Sequence, residues 1–213
     1  LGNHEESQAV LRAAGSLAGG DAAVACHVQM LLGETYGKQG KRQEARRAVQ
    51  EALRIAKEGD DSRGEARALN ALGESFRATG DAATAQRLFE VARTAFAACG
   101  DKEGLASVAN NLAIVYRKQG NYPNARELYL QALQYYEASG DLAGMGRIKS
   151  NLAVIHVVTG EHSEARDLLT EALELRRAAG DIAGEAATLD SLAELHRQLG
   201  ALDLARRLHR DAL

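Results

Sequence analysis

The apolar positions of this chain recur with the spacing of an α-helix, in short segments that glycines separate. In residues 102–118 they lie three or four positions apart, which places them on one face of a helix. They are Leu105, Val108, Leu112, Val115 and Tyr116. Gly100 precedes the segment and Gly120 follows it, and glycine commonly ends a helix because it adopts a left-handed conformation at little cost. The pattern predicts an amphipathic helix, named helix A.

A second amphipathic helix, helix B, is predicted directly after Gly120. Asn121 offers a side chain as N-cap, and Pro123 falls in the first turn, where its missing N–H breaks no helical hydrogen bond. We expect helix B to bury its apolar positions, which are Ala125, Leu128, Tyr129, Ala132 and Leu133. Gly140 and Asp141 then begin the next helix A, so the two helices form one repeat.

This helix pair recurs along the whole chain with a period of 40 residues. One glycine series marks the turn inside each pair: Gly40, Gly80, Gly120, Gly160 and Gly200. A second series, each member followed by Asp, marks the turn between pairs: Gly20, Gly100, Gly140 and Gly180. A fixed period of this length is typical of a solenoid, so we expect one all-α solenoid of antiparallel helix pairs. Its predicted segments are a helix B at 1–20, repeats at 21–60, 61–100, 101–140 and 141–180, and a last, truncated repeat at 181–213.

The repeat resembles the tetratricopeptide repeat, which has Leu-Gly and an aromatic residue in helix A, then Ala and an aromatic residue in helix B. The matching residues are Leu32, Gly33 and Tyr36, Leu72, Gly73 and Phe76, Ala85 with Phe89, and Ala125 with Tyr129. The 40-residue period is similar to that of the Leu-Gly-Asn-repeat spindle-orientation adaptors and, slightly shorter, to that of the kinesin light chains. The resemblance implies a right-handed superhelix whose concave face binds proteins or peptides.

In such a superhelix helix A lines the inner face, and equivalent helix A positions of successive repeats form columns along a groove. Here those columns vary in residue type while the packing positions stay constant, so we expect recognition to occur in them. The candidate groove residues are Arg67, Asn70, Glu74, Arg77, Asn110, Asn111, Ile114, Arg117, Arg147, Asn151, Val154, Val157, Asp190 and Glu194.

These residue types favour a partner segment that carries acidic and apolar side chains. The forked guanidinium of Arg suits a carboxylate, and the amide of Asn both donates to and accepts from a peptide backbone. Ile114, Val154 and Val157 form an apolar strip beside them, which would suit an apolar side chain of the partner. The alternative is a solvated groove whose Arg and Glu side chains pair with each other.

Composition removes several other classes of function. The net charge of −3 gives no concentrated basic face, so we expect no direct nucleic-acid binding. No apolar stretch is long enough to span a membrane. Cys26 and Cys99 have no metal-type spacing, and we expect both to be reduced thiols in or near the core. Free thiols favour a cytoplasmic location.

No catalytic, metal or cofactor site is predicted, so the chain is not expected to be an enzyme. His156 and His196 occupy the helix A position that Tyr36, Phe76 and Tyr116 hold in other repeats, which indicates packing side chains rather than metal ligands or bases. The glycine-rich spots are helix boundaries, and none has the Lys and Ser/Thr that a phosphate loop requires.

The predicted function is a non-catalytic scaffold or adaptor that binds a protein or peptide segment. Two alternatives remain open. The chain could be the sensory or regulatory part of a larger bacterial signalling protein or transcription regulator, or a self-assembly module that forms homodimers through the ends of the solenoid. The incomplete helix pairs at both ends indicate a fragment of a longer protein with packing surface exposed there.

Overall fold

The computed structural model describes residues 21–212, and all regular structure in that range is α-helical. The helices are α1 Ala22–Lys38, α2 Arg42–Glu58, α3 Ser62–Ala78, α4 Ala82–Ala98, α5 Lys102–Lys118, α6 Tyr122–Ser139, α7 Leu142–Thr159, α8 His162–Ala179, α9 Ile182–Gln198 and α10 Leu202–Asp211. The predicted all-α fold of helix pairs is therefore confirmed. The helix B predicted within residues 1–20 lies outside the described residues.

The helix boundaries follow the glycine and aspartate positions of the sequence. Eight glycines at the predicted turns have a positive φ of 67° to 88°: Gly40, Gly80, Gly100, Gly120, Gly140, Gly160, Gly180 and Gly200. Asp21, Asp61, Asp141 and Asp181 each accept a hydrogen bond from a backbone N–H in the first turn of the next helix A. Asp60 stands where the series would place a glycine, and it has a φ of 53°.

The chain divides into two compact units, Leu1–Asn111 and Leu112–Leu213, and the boundary falls within α5. In the first unit α1 packs on α2, α3 packs on α4, and α2 joins the two pairs by packing on α3. A core cluster is formed by Cys26, Val49, Ala52, Ala56, Ala68 and Leu72. A Cβ on Gly33 would lie 2.8 Å from a methyl of Val49, so the Leu-Gly motif permits a close approach of α1 and α2.

In the second unit α6 packs on α7, α7 on α8, α8 on α9 and α9 on α10. The helices α7 and α9, both of type A, also contact each other directly. One core cluster joins α7, α8 and α9: Ala153, Ala165, Leu169, Leu173, Leu189, Leu192 and Leu195. Ala153 and Ala165 are fully buried in this cluster, and their small side chains let the helices approach closely.

A contact that recurs in three successive repeats joins the end of a helix B to the start of the next helix A. Phe96 packs against Gly104, and Tyr136 packs against Gly144; a Cβ on either glycine would lie within 2.5 Å of the ring. In the next repeat the equivalent pair is Arg176 and Gly184, and that Cβ would lie 2.4 Å from a guanidinium nitrogen. We name this contact the repeat joint.

Two sequence-based expectations about burial are wrong. Cys99 is exposed, because it is the residue that follows the last turn of α4, whereas Cys26 is buried as expected. Burial raises the pKa of the Cys26 thiol, with a further contribution from Asp61. Leu133 is only half-buried, since Tyr136, one turn further along α6, takes the buried place at the repeat joint. No helix of the described part is long and apolar enough to cross a membrane.

Candidate functional site

The first unit contains a groove of about 770 Å³ along its A helices. Four of the candidate residues line it: Arg67, Asn70, Glu74 and Arg77. Met30 and Leu31 from α1 and Phe96 from the repeat joint supply apolar surface in the same groove. The predicted helix A columns of this unit therefore do meet in one concave surface, which combines charged, amide and apolar groups.

Arg67 reaches the groove beside the buried carboxylate of Asp101, which also caps α5. The Asp101 side chain is 3 % exposed, and its Oδ2 accepts a 2.5 Å hydrogen bond from Arg63 Nε, with Arg67 Nη2 at 4.0 Å. Its Oδ1 caps α5 by accepting from the Gly104 N–H at 2.9 Å. Burial acts to raise the pKa of Asp101, but the Gly104 hydrogen bond and Arg63 outweigh it, so that pKa is lowered.

The amide side chains of the groove are bonded to each other. Asn111 Nδ2 donates to Glu74 Oε1 at 2.8 Å and to Asn70 Oδ1 at 3.1 Å, while Asn70 Nδ2 lies 3.5 Å from the hydroxyl of Ser107. Asn110 and Asn111 are only 7 % and 4 % exposed. The donors of Asn111 are therefore engaged within the chain, and Asn70 and Glu74 are the members of this network that face the groove.

Arg77 offers unused hydrogen-bonding capacity. It is half-buried in the groove wall, and its Nε is buried without a hydrogen-bond partner among residues 21–212. Such a donor loses its water without gaining a protein acceptor, a cost that a bound ligand can offset. In the second unit the Nε of Arg117 is in the same state.

Arg46 is a groove residue that the sequence analysis did not identify. It belongs to α2, a B helix, yet its guanidinium lies 4.4 Å from the centre of the Phe76 ring and its Nε donates to Ser75 Oγ at 3.1 Å. The signal was present in the sequence, because Arg recurs at this helix B position as Arg126, Arg166 and Arg206.

The second unit contains the remaining candidate residues. Ile114, Asn151, Val154 and Val157 are half-buried, and Val157 also packs against the core cluster of this unit. Arg147 is exposed and donates to the Tyr136 hydroxyl at 2.8 Å, with its guanidinium 5.5 Å from the ring centre. The predicted apolar strip is thus partly accessible, and Arg147 is held in place by an aromatic residue of the repeat joint.

Two acidic candidates are paired with neighbours. Arg197 donates two hydrogen bonds to Glu194, at 2.6 and 2.7 Å, and together with Gln198 it lowers the pKa of this carboxyl to about 2. Asp190 Oδ1 lies 2.9 Å from the His209 ring. Pairing of an Arg with a Glu at predicted groove positions, the alternative raised from the sequence, thus occurs for Glu194.

His156 has hydrogen-bonding partners on α6 and at the N-terminus of α8. His156 is 8 % exposed in α7, with its Nδ1 2.5 Å from Glu161 and its Nε2 2.8 Å from Arg126. Within residues 21–212 no group of three His, Cys, Asp or Glu side chains is arranged to hold a metal ion. The packing role predicted for His156 agrees with its burial.

Comparison with known protein families identifies the repeat. Residues 24–98, 64–138, 104–178 and 144–213 each match the sequence model of the tetratricopeptide repeat. These overlapping matches cover nearly all of the chain and have the 40-residue offset of the glycine series. The comparison with curated proteins returned no significant match.

Several solved structures share the fold at low sequence identity. BtubC from P. vanneervenii is 21% identical, with a TM-score of 0.77 over 98% of this chain and 89% of that one. NprR in complex with its cognate peptide NprX is 15% identical, with a TM-score of 0.73 over 90% of this chain and 55% of NprR. The STAND protein PH0952 from Pyrococcus horikoshii, which has a tetratricopeptide repeat sensor, is 16% identical, with a TM-score of 0.76. This chain spans only 30% of the length of PH0952.

Proposed function

Because the chain belongs to the tetratricopeptide repeat family, we propose that it is a non-catalytic scaffold that binds a protein or peptide segment along the inner face of its A helices. The single observation that carries the proposal is the groove of the first unit, where Arg77 brings a buried, unpartnered Nε to the wall of a concave surface. A preformed groove loses little conformational entropy on binding, which favours recognition of a flexible segment.

The chemistry of the groove favours a partner with acidic and apolar side chains. Arg67 and Arg77 are cations that suit carboxylates, and Met30, Leu31 and Phe96 provide apolar contact area. Beside them, the carboxylate of Glu74 can accept hydrogen bonds from the backbone of an extended segment, and the amide of Asn70 can both donate to it and accept from it. The fold similarity to NprR, a structure that contains a peptide, supports the same type of ligand.

Selection from a library of displayed random peptides, followed by calorimetric titration of the selected sequences, tests the proposal. The double variant Arg67→Gln and Arg77→Gln should weaken binding at least about tenfold, since each lost charge-assisted hydrogen bond contributes about 1.5–3 kcal/mol. Arg87→Gln with Arg93→Gln is the matched control, because both side chains are exposed on the B helix α4. Peptides that bind the groove variant as tightly as the unmodified chain would contradict the proposal.

A regulatory role is the second candidate. PH0952 uses tetratricopeptide repeats as a sensor within a larger chain, and this chain aligns with that protein over 97% of its own length. In such an arrangement a bound segment would change the relative orientation of successive repeats and so control an attached domain. Small-angle scattering with and without a selected peptide tests this role, and identical profiles at saturation would exclude it.

Self-association through the terminal helices is a separate proposal. The last described helix, α10, packs on α9 alone, and Leu202 at its start is 52 % exposed. Light scattering over a range of protein concentrations should show a mass that rises with concentration. A constant monomer mass would rule out this mode of assembly.

A further inference from the structure

Arg176 is a buried cation at a position that other repeats fill with an uncharged side chain. The equivalent residues at the end of the preceding B helices are Ala56, Phe96 and Tyr136. Arg176 is 8 % exposed, and its Nε is buried without a hydrogen-bond partner among the described residues. A buried guanidinium is normally paired, because desolvating its charge is costly.

Two glycines create the space that Arg176 occupies. A Cβ on Gly146 would lie 2.8 Å from Arg176 Cγ and 3.3 Å from its Nε, and a Cβ on Gly184 would lie 2.4 Å from Nη1. At the position of Gly146 the other repeats have a larger residue: Cys26, Ala66, Ala106 and Ala186. The glycine therefore occurs in the one repeat whose neighbouring B helix ends with a buried arginine, which indicates a fitted site.

The charge balance around Arg176 is positive. Arg147 follows Gly146 on α7, and Asp181 is the carboxylate that acts on the charge of Arg176; its Oδ1 accepts from the Gly184 N–H at 2.9 Å. Burial lowers the pKa of Arg176; Asp181 opposes this shift, and Arg147 adds to it. Arg147 and Arg176 carry two positive charges against the one negative charge of Asp181, so the site attracts one further negative charge.

This part of the repeat joint belongs to the inner face. Phe96, at the position equivalent to Arg176, lines the groove of the first unit together with Gly104 and Ser107. Arg147 lies in the same column as Arg67 and Ser107, which also line that groove. A ligand group that follows the inner face of the second unit would therefore reach both guanidinium groups.

We propose that Arg147 and Arg176, with Gly146 and Gly184, form a carboxylate seat on the inner face of the second unit, and that it binds an acidic side chain or the C-terminal carboxylate of the bound segment. The inference rests on the proposed function, since the carboxylate belongs to the segment that the scaffold binds. Two guanidinium groups bind a carboxylate through charge-assisted hydrogen bonds from their terminal nitrogens, and the negative charge of the ligand offsets the cost of burying Arg176.

Nuclear magnetic resonance titration of the ¹⁵N-labelled chain with three blocked tripeptides tests the seat. The probes are acetyl-Ala-Glu-Ala-amide, acetyl-Ala-Ala-Ala with a free carboxylate, and acetyl-Ala-Gln-Ala-amide. The backbone amides of Gly146 and Gly184 should shift in a saturable manner with at least one carboxylate probe and not with the Gln probe. Response to the Glu probe assigns the seat to an acidic side chain, and response to the free-carboxylate probe alone assigns it to a C-terminus.

Variants separate the seat from general charge attraction. Arg176→Tyr places the residue of the preceding repeat at the joint and should abolish the shifts. Arg207→Gln removes an exposed charge from α10 of the same unit and should preserve them. Arg147→Gln changes an exposed residue and should weaken binding of the carboxylate probe about tenfold. This variant replaces Arg176→Tyr as the test if Arg176→Tyr does not fold. No saturable shift with either carboxylate probe, or shifts that persist in a folded Arg176→Tyr variant, would overturn the seat. The peptide selection above would be unaffected, because it depends on Arg67 and Arg77 in the first unit.

Discussion

Arg126 Nη2 lies 2.8 Å from His156 Nε2, across the contact between a B helix and the following A helix. Because Arg does not lose its proton, the guanidinium donates and Nε2 accepts, which places the imidazole hydrogen on Nδ1, toward Glu161. The equivalent pair in the first unit, two repeats earlier, is Arg46, whose guanidinium lies over the ring of Phe76. The arginine thus contacts the same helix A position in both units, through a cation–π contact in one and a hydrogen bond in the other.

Replacement of His156 by Phe should therefore preserve the fold. Arg126 would then stack on the ring as Arg46 does on Phe76, and we expect the free energy of unfolding to change by less than about 1 kcal/mol. His156→Ala should lose about 2 kcal/mol, because it leaves a cavity and an unpaired guanidinium. Urea denaturation followed by circular dichroism measures both. Equal losses for the two variants would show that the hydrogen bonds of the imidazole, and not its volume, stabilise this position.

Asp60→Gly should stabilise the chain. Asp60 has a φ of 53°, in the left-handed region that every other described turn of this kind fills with glycine. Relief of that backbone strain should add about 1 kcal/mol to the free energy of unfolding. Gly140→Ala makes the opposite change at the equivalent turn and should lower the free energy of unfolding by a similar amount. Chemical denaturation of both variants tests the pair, and a destabilised Asp60→Gly protein would contradict the prediction.

Gly73→Ala should destabilise the chain, since the added Cβ would lie 2.5 Å from a ring carbon of Phe89. Overpacking of this kind typically costs about 1–3 kcal/mol. Gly37→Ala is the matched control on α1, because nothing lies within 4 Å of its Cβ position. The control should be neutral or slightly stabilising, by up to about 1 kcal/mol. Thermal denaturation of the two variants distinguishes crowding from a general effect of removing glycine.

Arg63→Gln should make the chain more sensitive to acid. The pKa of Asp101 is lowered in the folded chain, so this carboxylate contributes stability above its unfolded pKa and loses that contribution as the pH falls through the folded value. Without Arg63 the folded pKa rises, and acid unfolding should begin at higher pH. Thermal melts between about pH 2 and pH 7 measure the shift. Arg206→Gln, whose partner Asp203 has a 92 % exposed side chain, should leave the acid profile unchanged.

Arg176→Tyr should raise the melting temperature while it removes carboxylate binding. The replacement relieves the desolvation of a buried charge and places an aromatic ring against Gly184, as Tyr136 packs against Gly144. We expect a gain of about 1 kcal/mol, or about 2–4 °C for a chain of this size. Differential scanning calorimetry provides the measurement. A clear loss of stability would mean that Arg176 holds the repeat joint together.

The helices and their boundaries were predictable because each depends on local chemistry that recurs every 40 residues. For the groove, the sequence predicted which helix face forms it but not which of its side chains bond to each other. Asn111 is bonded across two helices to Asn70 and Glu74, and that contact depends on the distance between repeats, which the sequence does not contain. Arg176 was identifiable in principle, since it follows Ala56, Phe96 and Tyr136 at one position of the repeat.

At the repeat joint the backbone arrangement stays the same while the side chain that it presents differs from repeat to repeat. Gly104, Gly144 and Gly184 keep one helix-to-helix approach, while the residue opposite them is Phe96, Tyr136 or Arg176. Exchange of this residue, together with a glycine at the position of Gly146 when the new residue is arginine, can therefore make one step of the inner surface apolar, hydroxylated or cationic while the close approach of the helices is kept. Ligand preference could then be reprogrammed, by evolution or by design, one repeat at a time.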